Sequence, residues 1–428
     1  MKKKVIKRKE NYILTSEQLA FLLFAMYFCK DIANSIIART IGSEEIFFIY
    51  NLLFIVIFLL YCFFNKFRDL IEPLICIASI FSIIALSMLI HPEYDEWFFH
   101  PVYGIDKMFL SFQGGIWGFL VVWLVKSKEK LYRYLKICAF LLIIFYSLQY
   151  LTANLRGYWV YTNVVGEQIE SDYNLQFGYH MLFPVSVFGS IVCLERRKMY
   201  LIPFVIGSIL IIMGGSRGAM VGIPIIIMST FPFHRENFSK NRRLVFFLLA
   251  LLVLLLFYLA YLNYEFILDY LAEILASHDI YSRSLTTLVS GSFSDGNGRE
   301  RIYEIVIDLI KTGGLFGRGF YGERVYVGKE FIWGYSHNIV LEILVSFGYF
   351  GGTIIILLLC YGVLFFYKYC QSAQERVIFI SFFASSFKLL LSDSFWYMPS
   401  FWALIALYVK WKRQYKYDLI QKELEKVK

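Results

Sequence analysis

Apolar residues fall in runs along the chain, each near the length that crosses a bilayer and each closed off by a short polar or basic stretch. Clear examples are 46–64, 71–90, 135–151, 244–262 and 352–366; a helix needs roughly 20 apolar residues to span the hydrocarbon core. The pattern predicts twelve spans, near 19–38, 46–64, 70–90, 108–125, 135–151, 174–193, 199–214, 218–232, 244–263, 347–367, 377–392 and 398–411. The pair 199–214 and 218–232 is short and nearly touches, so it reads either as a tight helical hairpin or as two partly re-entrant segments. The first run contains Lys30 and Asp31 and has no small-residue cleavage site, which marks a retained span and not a removable signal peptide. One polar stretch is far longer than the rest. The chain therefore divides into N-terminal transmembrane helices (1–263, spans one to nine), a large extracytoplasmic loop (264–336), and a C-terminal part (337–428) with the last three spans and a cytoplasmic tail.

Composition agrees with the pattern. Of 428 residues, 58% are hydrophobic and 18% charged, where a soluble domain has roughly 45–50% and 25%. The net charge of +9 would suit an anionic partner such as nucleic acid, but its distribution excludes that. With the N-terminus inside, 29 of the 42 Lys and Arg residues lie on the inner face and eleven on the outer, leaving Lys30 and Lys388 within spans. That excess of cytoplasmic charge sets the orientation, with both ends in the cytoplasm. Seven cysteines sit in or beside apolar runs and none in the long loop, which excludes a disulfide framework. The outer loops at 91–107 and 152–173 are rich in Trp, Tyr and acidic residues and read as interfacial segments.

A polar stretch of this length is functional or disordered, and its second half has structure. Between 299 and 312, Ile302, Ile305, Val306, Leu309 and Ile310 recur at helical spacing, with Gly298 before and Gly313-Gly314 after. The following Leu-Phe-Gly-Arg-Gly-Phe, which contains Arg318, reads as a tight turn with close backbone approach.

Three features carry candidate chemistry. Gly214-Gly215-Ser216-Arg217-Gly218 sets an arginine among small residues between two spans; it serves a ligand or snorkels to fix a helix end. Asn297-Gly298-Arg299, with Arg301 two residues on, opens the loop helix, where free N–H groups and an arginine favour an anion; a solvated surface role fits equally. Tyr335-Ser336-His337-Asn338 brings a histidine, the residue suited to proton transfer near neutral pH, to the loop–membrane junction. There is no P-loop, no HExxH and no Cys/His metal spacing.

The order of these motifs resembles the O-antigen ligase and O-antigen or capsule repeat-unit polymerase (Wzy/WaaL-type) superfamily. The resemblance rests on Ser216-Arg217-Gly218, a Gly-Arg opening a loop helix, Gly-Arg-Gly-Phe, and Ser336-His337-Asn338…Leu341-Glu342…Gly348…Gly351. It covers about residues 199–367. It implies an all-α, GT-C-like polytopic membrane protein of about twelve transmembrane helices in the cytoplasmic (inner) membrane, with its large, partly helical loop outside. The implied activity is metal-independent, cofactor-free glycosyl transfer from an undecaprenyl-diphosphate glycan, polymerising repeat units of O-antigen or capsule. His337 would be the acceptor base. Arg217 and Arg299 would hold the diphosphate, with Arg301 and Arg318 as alternative loop arginines and Ser216 and Asn338 as flanking polar groups. Implied partners are undecaprenyl-diphosphate-linked oligosaccharides, the lipid bilayer and a chain-length regulator, and no nucleic acid. Three alternatives stay open: ligation to lipid A core, a lipid-linked oligosaccharide flippase, and a structural or teichoic-acid-type scaffold without catalysis. The chain shows no internal repeat of the kind transporters carry.

Overall fold

The computed structural model describes residues 15–40, 46–65, 70–101, 103–112, 114–162, 168–171, 174–214, 216–234, 298–331 and 334–427, with single positions at 270, 273, 274 and 277. The ninth predicted span at 244–263, most of the loop up to Asn297, and the basic stretches at 2–9, 66–68 and 235–243 lie outside the described residues. The principal helices are α1 (Ser16–Phe28), α2 (Lys30–Thr40), α3 (Ile46–Phe64), α4 (Ile71–Ile90), α5 (Trp117–Leu124), α6 (Lys128–Arg156), α7 (Leu175–Glu195), α8 (Leu201–Met213) and α9 (Arg217–His234). They continue as α10 (Arg299–Gly313), α11 (Ile339–Tyr369), α12 (Ala373–Ser386) and α13 (Pro399–Val427). One antiparallel hairpin, β1 (Trp159–Thr162) with β2 (Gln168–Ser171), is the only sheet among the described residues.

Four of these helices, α4, α6, α7 and α11, are long and apolar enough to cross a membrane, and a fifth span results if α1 and α2 are taken as one broken element. Shorter apolar stretches lie in α3, α8 and α9. The chain is thus a multi-pass helical membrane protein with four or five candidate spans among the described residues, fewer than hydropathy alone suggests. Local chemistry accounts for part of the difference. The predicted span at 108–125 is a helical turn at 106–110 and then the eight-residue α5. A Cβ on Gly115 would stand 2.4 Å from the Trp396 carbonyl oxygen, and one on Gly118 would stand 2.6 Å from that of Pro399. Close backbone approach here takes precedence over a continuous helix. The predicted pair 199–214 and 218–232 forms two separate helices, α8 and α9.

Outer faces are apolar, as lipid contact requires: Leu89 on α4 is 81% exposed, and Leu357, Leu358 and Leu364 on α11 are exposed as well. Inside, α7 is the hub and packs against α6, α8, α9 and α12. Small residues permit this. A Cβ on Gly207 would meet Val185 Cγ2 at 2.4 Å, and one on Gly189 would meet Phe204 Cε2 at 2.8 Å. Buried Ser186 and Ser190 return their hydroxyls to carbonyls of their own helix, Leu182 and Ser186, so neither hydroxyl is stranded.

The loop helix α10 runs as its periodicity predicts. Ile302, Val306, Leu309 and Ile310 are buried, and it packs against α11. It stops at Gly314, whose φ is +66°, and the chain then turns back on α11. Arg318 N–H donates to the Val345 carbonyl (2.8 Å) and Gly319 N–H to that of Ser346 (3.0 Å). The turn fits because α11 is broken at Gly348, whose φ of +69° leaves the helical region; a Cβ there would lie 2.3 Å from the Gly317 nitrogen. Gly348→Ala meets backbone and a left-handed φ together, so it should destabilise the protein by about 3 kcal/mol or more. Thermal unfolding in detergent checks this against Gly351→Ala, whose added Cβ meets only Phe347 Cβ, at 3.3 Å.

Candidate active site

The site is assembled on the first turns of α7. Asn174 caps this helix, its side chain accepting from the N–H groups of Gln176 and Phe177. Gln176, Tyr179 and His180 then share one helical face. The Arg217 motif packs on the same turns: a Cβ on Gly218 would fall 2.0 Å from the Tyr179 hydroxyl, and one on Gly178 would fall 2.4 Å from Ser216 Cβ. Gly218 of the motif and Gly178 of α7 are therefore steric necessities of this contact. Ser216 is fully buried, its carbonyl receiving the Ala219 and Met220 N–H groups at the start of α9, while its hydroxyl finds no hydrogen-bond partner among the described residues. The Arg217 side chain lies outside the described residues; its backbone opens α9 between these two contacts.

Arg299 reaches the same place from α10. It follows Gly298, which has a φ of +76° and no room for a side chain, since a Cβ would press on the Phe331 ring. Arg299 is an electrostatic neighbour of both Tyr179 and His337. Arg301 points elsewhere: it pairs with Glu330 at 3.0 Å and Glu304 at 3.2 Å and is exposed. Arg318 is also engaged, donating to the Leu309 carbonyl, the Thr312 hydroxyl and the Tyr326 hydroxyl, so that it closes the end of α10. Of the three loop arginines considered, Arg299 is the one beside the histidine.

His337 is half-buried, with a φ of +52°. Its ring packs on Tyr335 with centroids 4.3 Å apart, and its Nδ1 is buried with no hydrogen bond among the described residues. Asn338 plays a structural part, capping α11 and donating to the Leu390 carbonyl at 3.0 Å, which ties the histidine turn to the α12–α13 connection. That connection contributes groups the sequence reading missed. Lys388 Nζ lies 2.8 Å from Asp393 Oδ2, donates to Gln176 Oε1 at 3.1 Å, and stands 4.8 Å from the centre of the Tyr179 ring. Asp393 has a φ of +73° and is an electrostatic partner of His337. Two of the four non-glycine residues with positive φ among those described, His337 and Asp393, belong to this centre, and a third, Tyr321, packs on Arg324. Stored backbone strain is characteristic of functional sites.

A buried charge cluster lies beneath both strained turns. Arg324 is fully buried, 4.1 Å from the Tyr321 ring and within 6 Å of the Tyr335 and Tyr397 rings. Glu323 and Glu342 are its buried anionic neighbours. Glu342 accepts from the Ser394 hydroxyl and the Phe395 N–H, which fixes the turn holding Asp393.

Electrostatics follow from these placements. Burial, the Arg299 charge and Lys388 together push the His337 pKa down to about 4, with Asp393 opposing. Burial alone would raise the Asp393 carboxyl, but the Lys388 ammonium holds it below its usual range. The centre thus presents a neutral imidazole with an arginine and a carboxylate as electrostatic neighbours, and the backbone of a second arginine adjoins it at Tyr179. Such an arrangement is suited to holding an anionic leaving group while an imidazole accepts a proton.

Of the missed residues, Lys388 and Asp393 carried a signal as charges at the end of an apolar run; Tyr179, one tyrosine in an apolar helix, carried none. No curated protein and no solved structure matches the chain. The stretch 202–356, which contains Arg217, Arg299 and His337, is similar to the O-antigen ligase family, Wzy_C.

Proposed function

We propose that the protein is a metal-independent glycosyltransferase of the inner membrane that polymerises undecaprenyl-diphosphate-linked repeat units into a surface polysaccharide, O-antigen or capsule, on the outer face. The observation that carries this reading is the convergence on Tyr179 of Gly218 from the Arg217 motif, Arg299 from the loop helix and Lys388 beside Asp393, with His337 an electrostatic neighbour of Arg299 and Asp393. Charge asymmetry between the loops supports a topology with the N- and C-termini inside and this centre outside.

In the proposed step, an acceptor hydroxyl oxygen attacks the anomeric carbon of the donor sugar. The bond from that carbon to the diphosphate oxygen breaks, and its electron pair leaves with the diphosphate. His337 takes the hydroxyl proton and passes it to water. Arg217 and Arg299 stabilise the charge that grows on the leaving group, through the planar fork that suits phosphate oxygens.

The low His337 pKa has a consequence. In the free enzyme the Arg299 charge helps to depress it; a bound diphosphate cancels that charge and raises the basicity of His337 when the base is needed. The acid limb of kcat/KM, which reports the free enzyme, should lie near pH 4–5, and that of kcat, which reports the complex, should lie higher. Lys388→Gln removes a positive neighbour and frees Asp393, so it should move the kcat/KM limb upward; Asp393→Asn should move it downward. Initial rates between pH 4 and 8 check both signs.

Deletion and complementation in the producing cells test the reading itself. Loss of a polymerase leaves single repeat units on lipid, whereas loss of a ligase leaves full-length polymer on lipid. The second result would replace the proposed reaction with ligation.

A further inference from the structure

The candidate site leaves one ionisable cluster at membrane depth unexplained, and it lies in the N-terminal half, outside the family match. The first span is broken: Ser16–Phe28 and Lys30–Ala38 meet at 75°. Just past the break, Asp31 Oδ2 lies 3.1 Å from His180 Nδ1 and accepts the Tyr146 hydroxyl. His180 and Tyr146 both belong to candidate spans, α7 and α6. We infer that Asp31, His180 and Tyr146, with the adjoining Lys30, form a second subsite that binds hydroxyls of the acceptor sugar; the inference rests on the transfer reaction proposed above.

Four observations support a ligand here. First, the pair is accessible: the side chains of His180 and Asp31 are 44% and 29% exposed. Ionisable side chains within spans characteristically face the bundle interior or a water-filled cavity. Second, broken helices in membrane proteins occur where the interrupted backbone lines a cavity. Third, α7 contains Pro184, which has no N–H for the carbonyl four residues earlier; the His180 carbonyl is therefore released from the helix ladder at the same level. Fourth, the cluster adjoins the candidate centre. Gln176, which binds Lys388, lies one helical turn from His180, about 6 Å along the axis. Lys30 interacts electrostatically with Asp31, Asp393 and Lys388.

Charge identifies the ligand class. A carboxylate repels a diphosphate, so this cluster does not duplicate the arginine site. A carboxylate, an imidazole, a phenol and a free carbonyl accept and donate to neutral hydroxyls. The acceptor in the proposed step meets the base through a sugar hydroxyl, remote from its own diphosphate. A sugar bound on Asp31 and His180 is one helical turn from the Lys388–Asp393 pair beside His337.

The test uses the full protein in proteoliposomes, with undecaprenyl-diphosphate oligosaccharide isolated from the producing cells as donor. The varied acceptor is the same repeat unit released from its lipid, so that its elongated product separates from lipid-linked material. Asp31→Asn and His180→Gln should each raise KM for the free acceptor about ten- to hundredfold, the worth of hydrogen bonds to a charged group, with kcat and donor affinity retained. Tyr146→Phe, which removes one oxygen from a packed ring, should raise it about fivefold and keeps the test decisive if a charge variant does not fold. The exchange Asp31→His with His180→Asp preserves an ion pair: restored acceptor KM in that protein would show a structural latch and overturn the inference. Unchanged KM in Asp31→Asn or, where the charge variants do not fold, in Tyr146→Phe would also overturn it. A wild-type protein that elongates nothing overturns the transfer reaction and this subsite together.

Discussion

Replacing His337 with asparagine should lower turnover by about 10²- to 10⁴-fold, the usual contribution of general acid–base catalysis, without a loss of folded protein. The choice of substitute follows from the backbone. His337 sits at a φ of +52°, a region that asparagine enters readily and that penalises most other residues. Alanine would confound strain with chemistry; asparagine removes the proton acceptor and leaves the turn. The expected signature is a collapse in kcat with little change in donor affinity, because in the proposed step the base acts on the acceptor hydroxyl. Undiminished polymer from this variant would remove His337 from the mechanism.

The second large effect belongs to Arg299. Arg299→Ala should reduce kcat/KM by about 10²- to 10³-fold, as loss of a donor aimed at developing charge does elsewhere. Arg299→Lys should not restore it, because an ammonium cannot match the planar fork that binds phosphate oxygens. Arg299→Ala should also raise the His337 pKa, since it takes away a neighbouring positive charge. Arg301→Ala supplies the comparison: its guanidinium is exposed and already paired with Glu330 and Glu304, and its effect should be small. Equal losses in the two variants would reverse the assignment of the loop arginine.

How much of this was legible depended on the range of the interaction. α10 announced itself, because five apolar residues at helical spacing and a glycine at each end are local facts. The Gly-Arg-Gly turn was equally legible as a close approach, although not its seat on Gly348, which needs a break in a helix some thirty residues on. The bend after Phe28 coincides with Lys30 and Asp31, charges that interrupt the apolar run without revealing a turn of 75°. Span 108–125 misled for the opposite reason: its hydropathy is high, but Gly115 and Gly118 serve a tertiary contact with the 396–399 turn. At the site, the motif residues were visible, and the groups that hold them together were not. Tyr179, Lys388 and Asp393 come from two remote stretches of chain and meet only after α7 and α12 pack.

The arginine that the motif makes most conspicuous, Arg217, depends on that packing. Gly218 beside it admits the Tyr179 ring, and through that ring the motif meets Lys388 and Arg299. The family match covers the motifs themselves, and α7 gives the physical reason that they meet at one centre.

The central claim is tested most directly by reconstituting the purified protein in liposomes with undecaprenyl-diphosphate oligosaccharide and resolving the products by size. The account predicts a ladder of lipid-linked glycans that lengthens by one repeat unit at a time, with undecaprenyl diphosphate released at each step, and no ladder from His337→Asn. A folded wild-type protein that leaves the single repeat unit intact would contradict it.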